Sequence, residues 1–270
     1  MKRFVICAAM ALTFWAGGAR ADSAYDRALS LFHDGAFEEA SDLASRIETA
    51  DGLALAARAR LAHAAYVAPP GENLDALTQS QALARRALEA DPDNVEALLH
   101  LSIALGYQAR TEGYIKAHFA GRAREARKLL DRALVLDPEG GWSHTAMGGW
   151  HAELVVAGGG LLAAALYRAS AKKAIFHFRE AIAAQPENPV MHVEFAKALL
   201  RMKLRKYRTM ALEQLDIALT LEPSDAFERM VQDKGRLLRA ALNEGDRRMI
   251  KALLVKLEPF AAHGSTGRPR

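Results

Sequence analysis

The sequence has a single cysteine, Cys7, few aromatic residues (7%) and nine prolines in 270 positions. Cys7 lies inside an N-terminal apolar stretch, too early to be the acylated cysteine of a lipoprotein. A chain that loses it with a leader has neither disulfides nor thiolate chemistry. No Gly-x-Ser-x-Gly, Walker-type loop, His-Glu-x2-His or paired-cysteine motif occurs, so the common nucleophile, phosphate and zinc signatures are missing. Gly158-Gly159-Gly160 is glycine-rich, but no Lys-Ser/Thr follows, and it reads as a helix break.

An excess of one charge is missing too. Residues 1–21 carry Lys2 and Arg3, an apolar run from Phe4 to Trp15 and small residues at Ala19 and Ala21, the pattern of a cleaved secretory signal. The run falls short of the roughly 20 residues that span a bilayer. Cleavage after Ala21 removes Lys2, Arg3 and Arg20 from the 36 Lys+Arg, leaving 33 against 32 Asp+Glu, a formal +1. The pI of about 9.2 therefore makes no case for nucleic acid. The short signal and the Ala/Arg-rich composition point to the periplasm of a Gram-negative bacterium.

What the chain does have is internal repetition, the first thing to seek in a sequence of this length. Four segments end alike, at Ala87–Pro92, Ala133–Pro138, Ala181–Pro186 and Ala218–Pro223. Each predicts the last turn of a helix stopped by a proline, which cannot continue it. In the last three, a second alanine lies seven residues earlier (Ala126, Ala174, Ala211), with Leu130, Phe178 or Leu215 between. That spacing puts all three residues on one helical face. Small residues there let a neighbouring helix approach closely, and the large one fills the gap.

The pattern Ala-x3-bulky-x2-Ala-x4-Pro resembles the second helix of the tetratricopeptide repeat. Proline spacings of 46, 48 and 37 exceed the family's 34, which places added residues in the first helices of two central repeats or in the loops after them. Arg110–Phe119 is expected to continue a helix, and Leu161–Tyr167 to form a short extra helix after the glycines. With Gly148-Gly149-Trp150 and Phe178-x2-Ala181-x4-Pro186, these long repeats resemble the regulator-of-microtubule-dynamics-like group and, less closely, tetratricopeptide proteins associated with tripartite periplasmic transporters. A periplasm holds no microtubules, so the eukaryotic activity is not carried over.

The resemblance implies an all-α, right-handed solenoid of about six helix pairs over residues 22–260. The small, basic composition of 261–270 predicts a disordered tail. The resemblance further implies that first-helix positions line a concave groove: Ile103, Tyr107, Thr111, Tyr114 and His118 in the third pair, Trp142, Thr145, Trp150 and Glu153 in the fourth, Lys197 and Arg201 in the fifth. Beyond Tyr107 the long helix adds Thr111, Tyr114 and His118, and 107-111-114-118 is a continuous helical stripe.

These readings predict a non-catalytic periplasmic adaptor holding a protein or peptide partner in its groove, with no cofactor and no membrane span. The alternative is an accessory protein of an envelope transport system that binds a small apolar ligand. An enzyme or metal carrier built on His144, His151 and Glu153 ranks third, because those histidines occupy positions where the repeat packs its core. The run Arg201–Arg208, with five positive charges in eight residues, is the candidate contact with an acidic partner or an anionic surface.

Overall fold

The computed structural model describes residues 15–69 and 72–260, with side chains from residue 23 onward. The expected signal core before residue 15 and the expected disordered tail 261–270 lie outside the described residues; the expected cut after Ala21 falls inside the first helix. Among the described residues there are twelve α-helices and no strand. They are α1 (Trp15–His33), α2 (Phe37–Ser45), α3 (Ala50–Ala62) with a π-helical turn at His63–Val67, α4 (Asn73–Ala90), α5 (Val95–Glu112), α6 (Tyr114–Phe119), α7 (Arg122–Leu136), α8 (Gly141–Tyr167), α9 (Ala171–Ala184), α10 (Pro189–Ala218), α11 (Ala226–Glu244) and α12 (Arg247–Leu257). Lys203 is extended (φ −164, ψ 84) and splits α10 into two helices. Six helix pairs stack as an all-α solenoid, each packed on the next.

The repeat signature does what its chemistry requires. Ala126, Leu130 and Ala133 are buried, as are Ala174, Phe178 and Ala181, and Ala211, Leu215 and Ala218. Phe178 stacks on Phe195 at 5.2 Å, and full burial of a side chain of this size stabilises by about 2–3 kcal/mol. Each proline ends one helix, and in three of the four repeats the cap of the next follows two residues later. Asn94 accepts from the amide of Ala97 at 2.9 Å, Asn188 from that of Val190 at 2.9 Å and Asp225 from that of Glu228 at 2.7 Å. The Asn94 and Asn188 amides also donate sideways, to Asp51 (2.8 Å) and Glu228 (3.0 Å), fastening one pair to another.

Two features depart from the sequence-based expectations. Gly113 at φ +83 ends α5, so 107-111-114-118 is not one helical stripe and α6 sets off as a separate helix. The glycine-rich break, by contrast, is as expected: Gly159 (φ +73, ψ 164) divides α8 into two helices, the second ending at Tyr167. Finally, the inner wall is not open from end to end. Phe227 at the start of α11 meets the rings of Phe32 (6.3 Å), Tyr66 (5.3 Å) and Trp142 (6.2 Å). Gly35, in the α1–α2 turn at φ +88, comes so near Ala226 that an added Cβ would sit 2.9 Å from its methyl. The first and last pairs therefore touch across the concave side.

Among the described residues α8 is the one helix long and apolar enough, by length and composition, to cross a membrane. Here it packs against α9, α10, α7 and α5.

Adjacent glycines in α8 should respond oppositely to one methyl group. A Cβ on Gly148 would lie 2.8 Å from the Phe178 ring, whereas one on Gly149 meets nothing within 4 Å. Gly149→Ala should gain roughly 0.5–1 kcal/mol through helix propensity, and Gly148→Ala should lose about 1 kcal/mol or more through overpacking. Urea unfolding reads both; equal shifts of the same sign contradict the packing described.

Candidate functional site

The curl of the solenoid leaves a cleft of about 520 Å³ between α5–α6 on one side and α8 on the other, with α10 contributing to its floor. Its arms are apolar and bare. Ile115 and Phe119 on α6 are 79% and 85% exposed, and Leu162 on the far part of α8 is 52% exposed. Val156 and Leu166 line the same arm. α6 presents Ile115 and Phe119 because Gly113 frees it from α5. At the outer end the His118 imidazole meets the Tyr167 hydroxyl, tying α6 to the end of α8.

The inner end is charged. Glu153 accepts from Arg201 Nη1 at 2.5 Å, from Arg110 Nε at 3.3 Å and from the Tyr114 hydroxyl at 2.6 Å. On α10, spacings of three and four put Glu194, Lys197 and Arg201 on one face, and Lys197 reaches Glu194 at 2.9 Å. Glu258, just beyond α12, completes the set with Arg110 at 2.9 Å, Arg201 at 3.4 Å and Lys197 at 3.6 Å. Three cations face three carboxylates in a largely buried place. Burial would raise the pKa of Glu153, but Arg110 and Arg201 hold it at about 2. Burial likewise opposes the charge on Lys197, yet Glu194 and Glu258 keep its pKa above the usual value. Lys234 lies over the Tyr66 ring at 3.7 Å, and burial pushes it down to about 8.

The expected groove residues divide on this geometry. Ile103, Tyr107, Tyr114, His118, Trp142, Thr145, Trp150, Glu153, Lys197 and Arg201 all line the cleft. Thr111 does not: it is exposed, and its hydroxyl donates back to Gln108 O at 2.9 Å. Trp142 lies against Phe227, and the Trp150 indole donates to Ala123 O at 2.9 Å, so both rings also serve packing between repeats. Of the run 201–208, Arg201 is bound to Glu153 and Arg208 donates to Leu242 O; Lys203, Arg205 and Lys206 stay exposed. Sequence reading overlooked Arg110, Phe119, Phe227 and Glu258. The last had a visible signal, since Leu257-Glu258-Pro259 repeats Leu221-Glu222-Pro223 and marks another helix stop.

The histidines form a separate core cluster. His144 Nε2 faces Pro138 O at 3.0 Å and its Nδ1 faces His177 Nδ1 at 3.0 Å. His192 repeats the first contact, with Nε2 3.1 Å from Pro186 O. His151 stacks on His177 at 5.6 Å. Burial lowers His151 to about 3 and His177 to about 4, helped by the neighbouring imidazoles. Among the described residues no group of three His, Cys, Asp or Glu is arranged to hold a metal ion.

With this geometry in hand, comparison with known proteins places the chain. The family model described as Regulator of microtubule dynamics protein 1-3 matches residues 24–243. Among solved structures, a thermophilic TPR protein of Thermus thermophilus superposes with a TM-score of 0.57 at 19% identity, over 80% of this chain and 99% of that one. An IFIT1 monomeric mutant with Gppp-AAAA aligns at 19% identity and a TM-score of 0.47, over 90% of this chain and 60% of that one. No curated protein matches the sequence at a significant level. The Thermus likeness shows the fold.

Two measurements probe the charged and histidine clusters. Glu153→Ala leaves Arg110 and Arg201 without a shared partner and should cost roughly 3–5 kcal/mol. Arg132→Ala, which breaks a half-exposed pair with Asp93, should cost less than about 1 kcal/mol. Comparable costs in denaturant titrations would mean that the inner network is solvated.

For the histidines the unfolded chain takes up protons below a pH of about 6.5 while folded His177 resists down to about 4. Stability is therefore fully present above about 6.5 and falls as pH drops toward 4. Melting temperature should decrease from pH 7 to pH 5, and His177→Gln should reduce that decrease. An identical decrease in the variant would remove His177 as its source.

Proposed function

We propose that this chain, which belongs to the Regulator of microtubule dynamics protein 1-3 family, is a non-catalytic interaction protein that receives an apolar segment of a protein partner in the cleft between α6 and α8. One observation carries this: Ile115, Phe119 and Leu162 stand exposed on facing arms of a cleft that continues inward to a charged floor. Contiguous apolar surface left uncovered on a folded chain is characteristic of partner sites. Helical-repeat folds of this type serve broadly as interaction scaffolds, and function here is read from the site and not from the fold alone.

The charged floor supports binding over catalysis. Glu153 at about 2 is a poor general base near neutrality, where a useful base titrates close to the working pH. Arg110, Lys197 and Arg201 are each paired with carboxylates, which gives a polyanion such as nucleic acid no free cationic track. The leader pattern at the N-terminus supports export to the periplasm of a Gram-negative bacterium, so that the partner is an envelope protein. Under this proposal α8 stays in the solenoid and does not enter a bilayer.

A second reading has its own support: 520 Å³ falls within the range of small-ligand sites, so a small apolar molecule is the alternative occupant. Capture from envelope extract separates the two. Ile115→Ser/Phe119→Ser/Leu162→Ser should keep the wild-type melting temperature and lose the captured protein. Capture that persists undiminished removes the cleft as the partner site, and a wild-type chain that retains an apolar small molecule and no protein favours the alternative.

A further inference from the structure

Residues 258–260, the last that the structure describes, lie in the groove in the manner of a bound peptide. α12 stops at Leu257 because Pro259 cannot continue it, and Glu258 is extended (φ −75, ψ 128). From there each of three residues makes a different kind of contact. The Glu258 carboxylate lies among Arg110, Arg201 and Lys197 at 2.9, 3.4 and 3.6 Å. The Pro259 carbonyl accepts from Arg110 Nη1 at 2.7 Å. The Phe260 ring, 7% exposed, lies on Tyr107 at 5.1 Å and packs with Leu61, Leu77 and Ala104. A charge clamp, a donor to a main-chain carbonyl and an aromatic socket are the parts from which grooves recognise extended segments.

The fit is imperfect in a way that marks the segment as replaceable. Phe260 sits at φ +58, a left-handed conformation uncommon for a bulky residue. Glu258 Oε1 is buried without a hydrogen bond, an arrangement that costs stability. Without Glu258, Arg110, Lys197 and Arg201 face only Glu153 and Glu194, so the positive charges of the wall outnumber the negative. An arriving segment needs an acid there. Glu258 and Pro259 also line the inner end of the cleft, so that a segment entering from the apolar arms reaches these cations directly.

We infer that Glu258-Pro259-Phe260 is a resting occupant of the partner site, and that the partner carries an acidic residue followed two positions later by an aromatic one. The inference rests on the proposed partner-binding role of the groove and names the chemistry of what binds.

The probe is a fluorescent, C-amidated peptide of residues 254–260 added to the full chain. Glu258→Ala/Phe260→Ala empties the site and should bind the peptide at least ten-fold more tightly than wild type by anisotropy. Peptides with Ala in place of the acid or the aromatic should bind at least ten-fold more weakly. Equal binding by the two chains, no binding by the emptied one, or indifference to the Ala peptides overturns the inference. So does a tail-exchanged dimer formed in place of peptide binding.

If the emptied chain loses its helical circular dichroism, hydrogen exchange on the wild-type chain decides. Saturating peptide should speed exchange across 258–260 and leave α8 unchanged, and no change there overturns the inference. Failure of these arms together with partner loss in the Ile115/Phe119/Leu162 variant would discard the resting occupant and keep the cleft as the partner site.

Discussion

The concave wall depends on one constraint: buried charges must be paired within it. Arg110, Lys197 and Arg201 face Glu153, Glu194 and Glu258 at distances between 2.5 and 3.6 Å, drawn from α5, α8, α10 and the segment after α12. Such a set contributes little net stability over apolar packing, yet the loss of any one member is costly. Its effect is geometric. It ties three first helices to the segment that follows α12.

Closure and opening of the groove follow from local sequence in different ways. The Ala-bulky-Ala face sets how near adjacent helices lie, and near stacking with two lengthened repeats curls the solenoid until Phe227 reaches Phe32, Tyr66 and Trp142. The inner wall is filled on that side. On the other side Gly113 breaks the long helix, and α6 leaves Phe119 and Ile115 uncovered opposite Leu162. The site is thus the part of the wall that curvature did not close.

Much of the fold was legible because its determinants are periodic. Alanines seven apart, a bulky residue between and a proline five beyond mark a helix and its buried face without reference to anything distant. Most of the wall was legible too, since repeat positions carry over to Tyr107, Tyr114, Glu153, Lys197 and Arg201. Thr111 was misplaced although α5 runs through it to Glu112: it faces solvent, and its hydroxyl turns back to Gln108 O. The contact of α11 with α1 joins Phe32 and Phe227, 195 positions apart, and no local pattern encodes such a meeting. Glu258 and Phe260 fell in what read as the end of a helix, although the repeated Leu-Glu-Pro indicated that the helix stops before them.

The account turns on where a partner touches the chain. A photoreactive benzoylphenylalanine placed at Phe119, on the cleft arm, or at Leu237, an exposed apolar position on α11, separates cleft from general surface in the source cell. Crosslinked protein from position 119 with none from 237 is the expected result. Adducts from 237 alone, or equally from both, would contradict a partner held between α6 and α8.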